Sequence, residues 1–176
     1  RNKEIIPNDL RSKLLVQGAA VIFDIKTGSV LGMVGGRQED EYHDYFNRAI
    51  LSARQPGSTF KPFVYLSAIN SGYSPSTKLI NQNVTIKDKI GYWVPENWNN
   101  EVGGIYNLRQ GLYGSVNLIS VRIMNDLEIT PNTIKETAYK FNLTTPINPV
   151  PSITLGSSEV KPIEITSAYS AIANSG

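Results

Sequence analysis

Ser58 and Lys61 lie three residues apart in "QPGSTFKPFVYLSAINSG", at the start of a segment that reads as a helix. At that spacing both side chains project from one helix face, one turn apart. A serine hydroxyl becomes a useful nucleophile only when a base takes its proton. A lysine can serve as that base if its pKa falls well below its ordinary value of about 10.4. Burial lowers it, and so do the partial positive charge of a helix N-terminus and a neighbouring cation. The free N–H groups of the same helix start can hold a developing oxyanion. The ordinary reading of the pair is a serine N-cap with an exposed lysine beside it.

A second pair, Ser115 and Asn117 in "LYGSVNLISV", follows 57 residues after Ser58, at a break between two predicted helices. A hydroxyl there could relay a proton to a leaving amine. A carboxamide could orient both the lysine and a substrate amide. The plain alternative is again a helix N-cap. A third triplet, Lys26-Thr27-Gly28, precedes any candidate nucleophile and sits where a hairpin should turn, so it is read as turn chemistry rather than as part of a site.

The elements that must position these residues are legible in outline. Residues 18–25 and 29–35 are short, apolar and partly β-branched, and Gly28 between them can take a positive φ, so they predict a β-hairpin. Residues 36–55 predict an acidic surface loop followed by a short ordered approach, "FNRAILSAR". Pro56-Gly57 and Gly72 bracket a helix from about Ser58 to Ser71, with Pro62 near enough to its start to be tolerated. Residues 73–104 predict a long irregular excursion with one short strand near Val84–Lys87. Two helices interrupted around Gly114-Ser115 should occupy residues 107–128. Thr130-Pro131 should open a helix to about Phe141. Gly156-Ser157-Ser158 should be a loop before a last helix, Pro162 to about Ala173, with Ile165, Ala168, Tyr169 and Ile172 on one face.

The composition narrows the chemistry. The 176 residues can build one domain with a sizeable core. The apolar fraction of 40% lies outside the disordered range. The net charge of +2, with scattered basic residues, argues against a nucleic-acid surface. The absence of cysteine removes disulfides, thiolate metal sites and cysteine nucleophiles. The single histidine, His43, lies in the acidic run "EDEYHD", which reads as a solvated loop rather than a triad or a metal site. No cofactor and no metal are expected. No run approaches the roughly 18 apolar residues of a membrane span, and no signal peptide is visible. Trp93, Trp98 and Tyr92 in "GYWVPENW" are read as aromatic packing of a loop, with a cleft rim as the alternative.

Taken together, the motifs carry more than their sum. Ser-x-x-Lys, Ser-x-Asn and Lys-Thr-Gly mark serine enzymes attacked by penicillin. "FNRAILSARQPGSTFKPFVYLSAINSGYSPST" closely resembles the nucleophile segment of the class A, bifunctional penicillin-binding proteins. "YNLRQGLYGSVNLISVRI" resembles their second motif, "PSITLGSSEVKPIEITSAYSAIANSG" the stretch after it, and "QGAAVIFDIKTGSVLGMVGG" the hairpin that opens their transpeptidase domain. The resemblance covers about residues 15–176. It implies an α+β fold of the penicillin-binding protein/β-lactamase type, here incomplete. The opening hairpin and a helical subdomain are present, and the later sheet strands are missing. It implies a peptidoglycan D,D-transpeptidase in which Ser58 attacks a D-Ala-D-Ala stem peptide, Lys61 is the base, Ser115 and Asn117 form the second-motif pair, and β-lactams acylate Ser58. A β-lactamase and a β-lactam sensor are the alternatives on the same fold.

The family's third motif, a Lys-Thr-Gly after the second, has no match between Asn117 and Gly176; "SEVKPIEIT" offers Lys161, but proline follows it. Residues 1–176 are therefore expected to be part of one transpeptidase domain, cut at both ends. The remainder would be absent, in another chain or in disorder, leaving apolar faces exposed and the fragment inactive alone. The expected location is extracytoplasmic, with a membrane anchor and a glycosyltransferase domain outside these residues.

Overall fold

A computed structural model describes residues 16–37, 45–88 and 91–176. His43 and the whole of its acidic run lie outside the described residues. The chain divides into two compact units, one of residues 1–53 and 161–176, the other of residues 54–160.

The first unit is built on the predicted hairpin. Strands β1 (Ala20–Phe23) and β2 (Val30–Val34) pair antiparallel, Ala20 opposite Val34 and Ile22 opposite Gly32, with an irregularity before the Phe23–Val30 pair. Between them Gly28 takes φ +70°, which only glycine adopts freely. The Asp24 carboxylate accepts from the Thr27 hydroxyl at 2.6 Å and the Lys26 N–H at 3.2 Å. These bonds, the Thr27 hydroxyl first, hold the Asp24 carboxyl below its usual pKa. The Lys-Thr-Gly triplet is thus the closing turn of a hairpin. Helix α1 (Arg48–Leu51), capped by Asn47, and the final helix (Pro162–Ala173) complete the unit. The final helix packs on β1 and α1. It buries Ala168, while Tyr169 and Ile172 on the predicted apolar face keep more than a third of their surface. Ile22, Leu31 and Val34 stand exposed on the hairpin.

The second unit is mostly helical. A single turn of 3₁₀ helix, Gly57–Phe60, runs directly into α2 (Lys61–Asn70), so Pro62 falls in the first turn, where no N–H is needed. Helices α3 (Leu108–Tyr113), α4 (Asn117–Asp126) and α5 (Pro131–Lys140) follow, then a 3₁₀ segment, Pro151–Leu155; the final helix of the chain is α6. Asn107 and Gln110 form a reciprocal capping box on α3. Thr130 caps α5 ahead of Pro131, as the sequence predicts.

The core lies where α2 meets α4, α5 and the second 3₁₀ segment. Phe60, Phe63, Val64, Leu118, Ile119, Ile123, Ile134 and Ile153 are fully buried. Each such side chain contributes about 1.5–3 kcal/mol by leaving water. The Phe63 ring sits 5.1 Å from Phe60 and 5.6 Å from Phe141. The buried hydroxyl of Ser67 lies 2.8 Å from that of Thr137 across α2 and α5; the Phe63 carbonyl is a second acceptor for the Ser67 hydroxyl at 2.7 Å, and the Thr133 carbonyl accepts from the Thr137 hydroxyl at 3.0 Å.

The stretch 73–104 is more ordered than predicted. It holds three short strands, β3 (Lys78–Ile80), β4 (Ile86–Asp88) and β5 (Gly91–Trp93). β4 pairs with β5, and β3 pairs with β6 (Ile105–Asn107) across the rest of the excursion. Strands of three residues stabilised by partners far along the chain leave no period for sequence reading to detect.

Gly111 on α3 packs directly against Ile119 of α4. A Cβ there would collide with the Ile119 side chain and stand 2.8 Å from the Tyr65 hydroxyl. Gly111→Ala is therefore expected to destabilise the fold by about 1–3 kcal/mol, read as a lower denaturant midpoint with an unchanged slope.

Candidate active site

All four candidate site residues belong to the second unit. Ser58 lies in the 3₁₀ turn, exposed, and its carbonyl accepts the Lys61 N–H as the turn passes into α2. Gly57, just before it, takes φ +56°. Its backbone is packed against Gly156, at φ +73°, whose carbonyl accepts the Gly57 N–H at 3.3 Å. A Cβ on Gly156 would collide with the Gly57 carbonyl. Two glycines from segments a hundred residues apart thus let two backbones touch, and this contact sets the turn that carries Ser58.

Lys61 is 1% exposed. Its ammonium is enclosed between α2 and the turn that starts α4. It donates to the Ser115 carbonyl at 2.5 Å, the Ser115 hydroxyl at 3.0 Å and the Asn117 Oδ1 at 2.7 Å. The three hydrogens of Nζ have three acceptors. Ser115 can offer both its carbonyl and its hydroxyl because it adopts φ +51°, a left-handed conformation that interrupts the path from α3 to α4. The predicted break at Gly114-Ser115 is real, and Ser115 carries the unusual backbone.

Burial lowers the Lys61 pKa from 10.5 to about 8. The group is held as an ammonium below that pH and becomes an amine with a free lone pair just above it. On losing its proton it has two hydrogens for three acceptors. The Ser115 hydroxyl can then reverse and donate to the lone pair, because a hydroxyl is donor and acceptor at once. A base of this pKa, one helical turn from an exposed serine and touching a second hydroxyl, is equipped for proton transfer to and from an acyl centre.

Asn117 is fixed from its other side. Its Nδ2 donates to the Glu96 carbonyl at 2.9 Å, so its oxygen must face Lys61. Glu96 and its neighbours lie in the excursion that the sequence reading left irregular. Nothing in a peptide carbonyl's own residue type signals that role, so sequence patterns could not reveal it. Trp98 and Tyr92 in the same excursion are not packed as predicted: Trp98 is 83% exposed and Tyr92 is also largely free, while Trp93 is half-buried. Trp98, Tyr106 and Val116 line a small cavity together with Asn81 and Asn97. Among the described residues no group of histidine, cysteine or carboxylate side chains could hold a metal ion. Among them, too, no helix is long and apolar enough to cross a membrane.

Residues 18–176 match the family model of the penicillin-binding protein transpeptidase domain. The chain is 39% identical over 166 residues to penicillin-binding protein 1A of Neisseria lactamica, covering 92% of this chain and 20% of that protein. It is 33% identical to penicillin-binding protein 1A of Aquifex aeolicus, covering 98% of this chain and 22% of the relative. The chain therefore spans about a fifth of the length of these curated relatives. Among solved structures, penicillin-binding protein 1A of Haemophilus influenzae superposes with a TM-score of 0.80 at 26% identity, over 88% of this chain and 23% of that one. Penicillin-binding protein PonA1 of Mycobacterium tuberculosis, solved in complex with penicillin V, superposes at 0.76 with 24% identity, over 95% of this chain and 47% of that one. The last likeness speaks for the fold alone.

Two outcomes follow from the geometry. A lysine whose folded pKa is depressed costs stability while it is charged. That cost is fully present below pH 8 and is recovered as pH rises from about 8 toward 10.5. Urea unfolding midpoints should rise between pH 7.5 and 9.5, and Lys61→Met should flatten that rise; equal slopes in both proteins would contradict the assignment. Gly156→Ala should lower stability by about 1–3 kcal/mol and shift the backbone amide resonances of residues 57–60; unchanged resonances there would show that the glycine contact does not set the turn.

Proposed function

The chain belongs to the penicillin-binding protein transpeptidase family, and from that premise we propose that it carries the acyl-transfer centre of a peptidoglycan D,D-transpeptidase. Ser58 Oγ attacks the carbonyl between the two D-alanines of a stem peptide while Lys61 Nζ takes its proton. The tetrahedral centre collapses with loss of the terminal D-alanine, whose nitrogen receives a proton through the Ser115 hydroxyl. An amine of a neighbouring stem then attacks the Ser58 ester; its proton passes through Lys61 to Ser58 Oγ as the ester bond breaks, so the cross-link closes with Ser58 again a hydroxyl and Lys61 again neutral. Asn117 holds Lys61 on one side and can meet the substrate amide on the other. A β-lactam would enter the same path, its ring carbonyl opening onto Ser58, with the tethered leaving nitrogen slowing the second step.

The observation that carries this reading is the Lys61 ammonium, buried one turn after Ser58 and held by Ser115 and Asn117 alone among side chains. A structural lysine would sit at the surface or face a carboxylate. This one faces two neutral groups that can trade protons or lone pairs with it, in surroundings that bring its pKa near the working range. The substrate places the site outside the cytoplasm, which is the location we assign to it.

The test is a covalent adduct between the full-length protein and a fluorescent penicillin. Ser58→Ala should abolish it. The rate of adduct formation should climb with pH and level off above about 8, as the Lys61 amine becomes neutral. Lys26→Ala, in the hairpin turn, should leave the rate unchanged. An adduct that survives in Ser58→Ala would sink the reading.

A further inference from the structure

Helix α4 begins without a cap of its own. Its N-cap position is Val116, whose side chain makes no capping bond, although the first N–H groups of any helix need acceptors from outside it. The acceptor comes from 21 residues upstream: Asn97 Oδ1 receives the Leu118 N–H at 3.1 Å. Leu118 is the second residue of α4, the place a capping side chain normally reaches. Asn97 is 6% exposed and every polar atom of its side chain is used. Its Nδ2 donates to Asn81 Oδ1 at 2.8 Å and to the Glu101 carbonyl at 2.7 Å. Asn81, 4% exposed, donates in turn to the Gly103 carbonyl at 3.2 Å. Its backbone extends the β3–β6 ribbon by accepting from the Gly103 N–H and donating to the Gly104 carbonyl. The excursion is thereby tied to the ribbon at one end and to α4 at the other.

The consequence reaches the site through one peptide. Glu96, the residue before Asn97, presents the carbonyl that accepts from Asn117 Nδ2. Asn117 is the first residue of α4 and Leu118 the second. Two adjacent residues of the excursion therefore hold two adjacent residues of the helix, one by a side chain and one by a backbone carbonyl. The carboxamide of Asn117 has two near-symmetric orientations. Only the one with nitrogen on Glu96 leaves its oxygen for Lys61; the other would set NH₂ against the ammonium.

We propose that Asn97 is a positioning residue for the acyl-transfer centre: by capping α4 at Leu118 it registers the Glu96 carbonyl on Asn117 and so fixes the carboxamide that receives Lys61. A buried asparagine whose donors and acceptor are all engaged is costly to replace for stability alone. What distinguishes a positioning role is that its effect on the reaction passes through Asn117.

The proposal uses the transpeptidase reading for its kinetic readout, and the experiment separates the two. The second-order rate of acylation by a fluorescent penicillin is measured for the full-length wild type, Asn97→Ala, Asn117→Ala and the double variant, each on its folded fraction. Asn97→Ala should slow acylation by about tenfold, and the double variant should be no slower than Asn117→Ala, because residues in one hydrogen-bonded network do not add. Losses that multiply, or an Asn97→Ala rate within about twofold of wild type, overturn the proposal. If Asn97→Ala yields no folded protein, the same cycle is read with Asn81→Ala, which removes only the far partner of Asn97. If the wild type forms no adduct, it is the transpeptidase reading that fails. The cycle is then read by NMR from hydrogen exchange of the Asn117 carboxamide. Faster exchange in Asn97→Ala than in Gly111→Ala, a variant that disturbs the same helix elsewhere, supports positioning; equal exchange overturns it.

Discussion

A buried ammonium has to be satisfied completely, and much of the second unit is arranged to meet that demand at Lys61. An unpaired charge in an interior costs several kcal/mol. Here the neutralising partner is no carboxylate. It is a carbonyl, a hydroxyl and a carboxamide, all contributed by residues more than fifty positions away. Such a cage tolerates the ammonium without locking the proton onto it. A carboxylate at the same distance would hold the lysine charged far into the alkaline range. Neutral acceptors and burial together leave the pKa near 8, where the proton can be lost and regained.

The demand propagates outward. For Ser115 to give both carbonyl and hydroxyl to one nitrogen, its backbone must turn into the left-handed region. That turn separates α3 from α4 and leaves α4 with valine at its N-cap. The helix start is then stabilised by the excursion before it. The buried asparagines of that excursion join the β3–β6 ribbon to the first turn of α4. The 3₁₀ turn that leads into α2 is held by the Gly57–Gly156 contact. The two walls of the site thus rest on different supports. One is a polar network that fixes orientation, and the other a close backbone approach that fixes distance. Both stand on the apolar packing of α2 against α4 and α5.

The legible parts of the fold were those with local causes. The hairpin turn follows from Asp24, Thr27 and Gly28, whose bonds are all within a few residues. The helix limits follow from Pro56-Gly57, Gly72, Asn107, Thr130 and Pro162, residues whose backbone preferences or caps act where they stand. The family words around Ser58 and Asn117 picked out Lys61, Ser115 and Asn117, which the structure brings into hydrogen-bond contact. What stayed hidden had distant causes. Strands β3 and β6 exist because they pair across 25 residues, and three-residue strands show no alternation of their own. Trp98 reads as a packing residue by type and stands in solvent by position. Asn97 reads as one more loop asparagine in "PENWNN", since no helix follows it for it to cap.

The sequence by itself determined the kinds of groups available: a serine and a lysine one turn apart, a second serine and asparagine at a helix break, and no histidine or cysteine within either motif. It also determined the family, through words long enough that chance cannot repeat them in order. Only the tertiary structure decided what state those groups are in. Lys61 becomes a base candidate because α2 and α4 close over it, and closure is a property of packing between segments. Asn117 offers oxygen rather than nitrogen because a backbone carbonyl of residue 96 stands on its other side. Residue types follow from the chain alone; desolvation and orientation arise only when distant parts of the chain exclude water from the same small volume.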